Sequence, residues 1–173
     1  MCKLAPDEIK NGSLVDIFKK FTKDQSKWVK QAATQFLGPF IVCYEGLEPS
    51  PVLLDFYSEM VEENIKPSGG VSTAQNSEDV LYHCAFNFPA VLLTLGPKAW
   101  PQLKHIHTKL VRDSRVKVRR TLAYSLFELA KILGEELTES ELISVLLHFL
   151  KDVPEVKEGV MVTLPDFVAC LNV

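Results

Sequence analysis

The residues of this chain best equipped for chemistry are four histidines (His83, His105, His107, His148) and four cysteines (Cys2, Cys43, Cys84, Cys170). A structural zinc site draws on convergent ligands, usually in closely spaced pairs. The cysteines show no such pairing, and His105 and His107 sit on a helical segment that reads as an outer, solvated one. No metal and no cofactor are expected. A serine nucleophile needs a base and an orienting carboxylate in a recognisable elbow or loop, and no serine here has that context. A phosphate-cradling glycine loop must follow a strand, and no strand pattern exists. The chain is therefore expected not to be an enzyme.

The remaining candidates are charged. Arg112, Arg115, Lys117, Arg119 and Arg120 place five bases within nine residues. One reading is a positive ridge that contacts an acidic partner surface. The other is architectural: the bases pair with Asp113 or with an aspartate of a neighbouring structural unit. The architectural reading carries more weight, and both can hold at once. Ser50-Pro51 fits a proline-directed phosphorylation site, and Ser68, Ser72, Thr73 and Ser77 lie in a polar stretch nearby. A helix cap and a flexible insertion explain those residues better.

Composition narrows the function classes. The chain has 173 residues, 47% hydrophobic and 24% charged, with a net charge of −3. It lacks the basic excess that nucleic acid or an acidic membrane would attract. The N-terminus has no apolar signal core, and Cys2 stands where myristoylation needs glycine. The longest apolar run, near Ala85 to Leu95, contains Asn87 and is too short to span a bilayer. The cysteines read as reduced thiols, which predicts an intracellular protein, cytoplasmic and/or nuclear.

The elements that must position the bases are helices. Val118, Leu122, Leu126, Leu129 and Leu133 fall at offsets 0, 4, 8, 11 and 15, one helical face. Ala123, Phe127 and Ala130 widen that face beyond what a surface helix needs. The same frame recurs 38 residues earlier as Val80, Cys84, Phe88, Val91 and Leu95, and 38 later as Val156, Val160, Leu164, Phe167 and Leu171. From Val29 it gives Ala33, Leu37, Phe40 and Tyr44. Cys84 therefore occupies a core position, and Cys43 and Cys170 share a near-core one.

The turn before the frame recurs too. Asp24 precedes Val29-Lys30, Asp113 precedes Val118-Arg119, and Asp152 precedes Val156-Lys157. The Val80 copy departs, with Leu81 in place of the base. Two helices per roughly 40 residues, an Asp in the turn and a Val-base opening resemble a HEAT repeat. The expected fold is all-α, a HEAT-repeat α-solenoid of about eight helices in four antiparallel pairs. Its predicted parts are an N-terminal tail, 1–12, and four repeats at about 13–46, 50–96, 100–134 and 138–173, with a flexible loop at 67–77. Ser13, Ser50 and Ser77 are the expected caps of their helices, and Thr138–Glu141 a capping box. The candidate protein-binding residues are those of the turns: Asp24, Lys30, Arg112, Asp113, Arg115, Lys117, Arg119, Arg120 and Lys157.

Leu81–Leu95 (LYHCAFNFPAVLLTL), Trp100-Pro101-Gln102-Leu103 and Lys117–Thr138 (KVRRTLAYSLFELAKILGEELT) carry a more specific likeness. They resemble the regulatory subunit 1 family of serine/threonine-protein phosphatase 4, its short members most of all. The resemblance implies a non-catalytic scaffold that holds the phosphatase 4 catalytic subunit and steers its substrates. The metal-binding motifs of that catalytic subunit are absent. Two other readings stay open: a truncated relative with little independent activity, and a general adaptor or transport solenoid. The latter would need a concave ladder of Trp and Asn, which Trp28 and Trp100 do not form. Val160, Met161, Leu164, Phe167, Val168 and Leu171 leave the final helix without a polar outer face, which predicts that the chain self-associates or is marginally stable.

Overall fold

The structure, a computed structural model, describes residues 6–44, 51–65 and 74–171, with side chains for 6–44, 53–62 and 80–171. It divides into two units, Met1–Leu95 and Gly96–Val173. All regular structure among the described residues is helical, as the periodicity predicts. The first unit holds α1 (residues 7–22), α2 (Lys27–Val42), α3 (Pro51–Ile65) and α4 (Ala74–Leu95). The second holds α5 (Trp100–Val111), α6 (Val116–Leu133), α7 (residues 135–149) and α8 (Pro154–Ala169). Consecutive helices pack in pairs: α1 on α2, α3 on α4, α5 on α6, α7 on α8. Three pairs are joined by turns of only four residues, 23–26, 112–115 and 150–153, which makes those helices antiparallel neighbours.

The repeated frame forms the core. Leu37 of α2 and Tyr44 just after it, Cys84, Phe88 and Val91 of α4, Val118, Leu122, Leu126, Leu129 and Leu133 of α6, and Val156, Val160 and Phe167 of α8 are buried. Cys43 and Cys170 are part-buried thiols, matching their shared offset. A second helix packs on two sides because the next second helix of its unit also lies against it: α2 meets α4, and α6 meets α8. Small residues permit the approach. A Cβ added to Gly38 would lie 2.3 Å from the Asn87 Cβ, and one on Gly159 would lie 2.8 Å from Tyr124 Cδ2. The Tyr57 hydroxyl donates to the Cys84 carbonyl at 2.6 Å. Burial pushes the Cys84 thiol well above its ordinary range, so this cysteine is an inert packing residue.

Several expectations need correction. The helix predicted to begin after Ser13 starts at Asp7, so residues 7–12 are not a tail. Pro6 supplies its carbonyl to the Ile9 and Lys10 amides, and Asp7 and Glu8 favour a helix N-terminus. Ser13 lies in a π turn, Lys10–Leu14, whose Lys10 carbonyl accepts the Tyr44 hydroxyl. Thr138 is not a cap either. Gly134, at φ +78°, turns the chain, and the helix begins at once with Glu135. Thr138 donates its amide to the Gly134 carbonyl and its buried hydroxyl to the Ala130 carbonyl. Residues 74–77 of the expected loop are helical, so Ser77 lies inside α4. Residues 67–73, Cys2 and Ser50 lie outside the described residues. His107 is not solvated: it is 2% exposed, with its ring 5.4 Å from that of Trp100, while His105 is exposed.

Two predictions follow from this packing. Gly38→Ala gains about 1 kcal/mol of helix propensity but forces the new methyl into Asn87, for a net loss of about 1–3 kcal/mol. Gly12→Ala meets nothing within 4 Å and is expected to stabilise the protein. Urea unfolding of the two variants compares the signs directly. Desolvation lowers His107 from 6.5 to about 4. Above pH 6.5 both folded and unfolded states hold it neutral. Between 6.5 and 4 only the unfolded chain takes up the proton, so stability falls on acidification by about 3 kcal/mol from this group. Denaturation across that pH range should show the slope in the natural protein and lose it in His107→Leu.

Candidate protein-binding turn ridge

Each four-residue turn is closed by its aspartate. Asp24 Oδ1 accepts the Ser26 amide at 2.7 Å, Asp113 Oδ1 the Arg115 amide at 2.9 Å, and Asp152 Oδ1 the Val153 amide at 2.7 Å. This local acceptor lets the chain reverse without leaving the amide beyond the turn unsatisfied.

The bases of the second unit divide into two sets. Arg115 forks onto Asp113, with Nε to Oδ1 and Nη2 to Oδ2 both at 2.7 Å. Arg119 forks onto Asp152 of the next turn, with Nε to Oδ2 at 2.7 Å and Nη2 to Oδ1 at 2.8 Å. Its Nη1 also donates to the carbonyls of Asp113 and Ser114. The pair is largely covered, at 14% and 9% side-chain exposure. The hydrogen bond from Arg119 holds the Asp152 carboxyl below its usual value, and that same bond raises the guanidinium. Arg115 and Arg119 are therefore structural, and the architectural reading describes both.

The other bases face outward. Arg112, Lys117, Arg120 and Lys157 are exposed. Arg120 lies 5.5 Å over the Tyr124 ring, a cation–π contact that leaves the charge at the surface. Arg112 and Lys117 flank the 112–115 turn, and Lys157 stands one turn into α8. Lys30, also exposed, belongs to the first unit beside the Asp24 turn. The candidate surface in Gly96–Val173 is thus a row of exposed bases beside buried aspartates. Nothing in it resembles a catalytic constellation, and no cluster among the described residues has the ligands for a metal. The ladder partner Asp152 was absent from the candidate set. The 39-residue step from Asp113 to Asp152 nearly matches the repeat and is the signal that finds it.

Removing one side of the ladder strands a largely buried charge. Arg119→Ala is expected to cost about 3 kcal/mol, and Arg119→Lys to recover only part because the fork is lost. The contribution of the depressed Asp152 is complete above the unfolded carboxylate pKa and is lost as pH falls through the folded value. Chemical denaturation at neutral pH and again in acid should therefore find a smaller Arg119→Ala difference in acid, where only the bonds to the Asp113 and Ser114 carbonyls remain to be lost.

Comparison with known proteins places this geometry. The family model for the protein phosphatase 4 regulatory subunit 1 middle domain matches residues 84–173. Serine/threonine-protein phosphatase 4 regulatory subunit 1 of Homo sapiens is 41% identical over 122 residues, which is 70% of this chain and 12% of that protein. The Mus musculus protein of the same name matches to the same degree. Serine/threonine-protein phosphatase 4 regulatory subunit 4 of Mus musculus is 28% identical over 106 residues, 54% of this chain and 12% of that protein. The chain thus spans about 12% of the length of the curated relatives it matches. Through residues 84–173, which contain the whole Arg119–Asp152 ladder, the chain belongs to the protein phosphatase 4 regulatory subunit 1 middle-domain family.

Proposed function

We propose that the chain is a non-catalytic regulatory component of a phosphatase-4-type serine/threonine phosphatase, working inside the cell in cytoplasm, nucleus or both. The observation that carries this reading is the family match over 84–173, the half of the chain that bears the exposed bases. The relatives are named as regulatory subunits, which supports a role in binding and positioning. Rigid helix pairs suit that role, because a surface held by buried frames presents charges at fixed spacing. Arg112, Lys117, Arg120 and Lys157 would meet acidic surface on the catalytic subunit or on a substrate, adding to rate of encounter and to register.

The test is capture of the phosphatase 4 catalytic subunit by the tagged chain, with the long regulatory subunit 1 as positive control. Retention is expected. Charge reversal at Arg112, Arg120 and Lys157 together should reduce it at least about ten-fold and weaken its salt dependence, with thermal stability unchanged. Failure of the natural chain to retain the catalytic subunit, while the control does, would overturn the proposal in favour of a relative without independent activity.

A further inference from the structure

Each four-residue turn pairs a base with the aspartate that closes it: Lys23-Asp24, Arg112-Asp113 and Lys151-Asp152. The two side chains part company. The aspartate turns in and accepts an amide at its own turn, while the base before it is exposed in all three. Turns form the rim of a stack of helix pairs, so this outward base recurs at the one place that packing leaves open in every pair. No ion pair among the described residues engages Arg112 or Lys151.

In the 96–173 unit two such turns are tied together. Arg119 forks onto Asp152 at 2.7 and 2.8 Å and also donates to the Asp113 carbonyl, so one guanidinium spans both turns. Helices α6 and α8 pack directly, which sets the turns before them roughly 8–10 Å apart, the usual separation of packed helices. Residues 112–120 and 150–155 expose four bases, Arg112, Lys117, Arg120 and Lys151, against one acid, Glu155. Asp113 and Asp152 are held by Arg115 and Arg119 and present no open negative charge. Val116 and Val153, each 37% exposed, add apolar surface to the same rim.

We infer that this rim binds an extended acidic segment of a partner protein, in the polyproline II conformation, with a carboxylate at every third residue. The inference rests on the regulatory reading above, and adds to it Lys151 and the form of the partner. Spacing favours that conformation. A polyproline II helix turns every three residues and rises about 3.1 Å at each, so residues i and i+3 share a face about 9 Å apart. That step matches the distance between the turns, whereas a β-strand puts i and i+3 on opposite faces. One carboxylate meets Arg112, the next meets Lys151, and the residues between them lie over Val116 and Val153. Exposed ion pairs are individually weak and screened by salt, so the affinity is on the order of 10⁻⁴ M at low ionic strength.

Nuclear magnetic resonance titration of the full 173-residue chain with two synthetic peptides tests this. One peptide is four repeats of Glu-Pro-Pro; the other has the same composition and charge, with its glutamates adjacent and its prolines following. The periodic peptide should bind at least about five-fold more tightly and shift the amides of both turns. Arg112→Gln and Lys151→Gln, both at exposed sites, should each remove that preference while leaving the thermal melt in place. Equal binding of the two peptides, binding of neither, or a Lys151→Gln variant that keeps the preference overturns the inference. So does tighter binding of a single-stranded oligothymidylate, which would mark the rim as a site for a phosphate backbone. The two readings fail separately. Capture of the phosphatase 4 catalytic subunit without periodic peptide binding overturns this inference alone, and periodic peptide binding without capture overturns the phosphatase reading alone.

Discussion

A carboxylate that closes its own turn and also clamps a guanidinium from the preceding helix pair holds the 96–173 unit in register. Asp152 accepts the Val153 amide and both arms of Arg119, while Arg119 caps the Asp113 turn through its remaining nitrogen. Drawing two charges partly out of water is costly, and it is sustained here because nearly every donor has a well-placed acceptor. The clamp ties the start of α6 to the turn before α8. With that distance set, Gly159 comes to rest against Ala123 and Tyr124. A looser link would let α8 slide, and the close approach would become a clash.

The same division of labour runs through the surface. Buried polar groups serve the junctions: Tyr57 on the Cys84 carbonyl, Thr138 on the Ala130 carbonyl, Asp113 on its own turn and Arg115. The bases that remain outward, Arg112, Lys117, Arg120 and Lys157, are carried by residues adjacent to those junctions. A protein that acts by presenting surfaces gains from this arrangement, since the presented charges inherit the rigidity of the turn beneath them.

Much of the fold was legible in the chain. The frame Val118–Leu122–Leu126–Leu129–Leu133 and its copies place the buried faces of the second helices, and they account for Cys84 as packing. The bases were legible as a cluster but not as two sets, because Arg115 and Arg119 share a type and a neighbourhood with Arg112 and Arg120. Only the fork geometry separates them. The ends of helices were least legible. Ser13 and Thr138 have the right chemistry for caps, yet Pro6-Asp7-Glu8 and Gly134-Glu135-Glu136 nucleate earlier turns, and a helix already under way absorbs a potential cap.

Periodicity, the aspartate turns and the absence of strand patterns determined by themselves that this is a helical repeat protein, because apolar spacing dictates which face of a helix must leave water. Tertiary structure decided what each exposed-looking residue became. His105 and His107 differ by two positions on one helix, so only the packing around Trp100 could bury one and leave the other in solvent. Trp28 and Phe36 are the opposite case: apolar side chains that local pattern would assign to a core, left exposed because no helix among the described residues lies over them. Burial is a property of neighbours, and neighbours are distant in sequence.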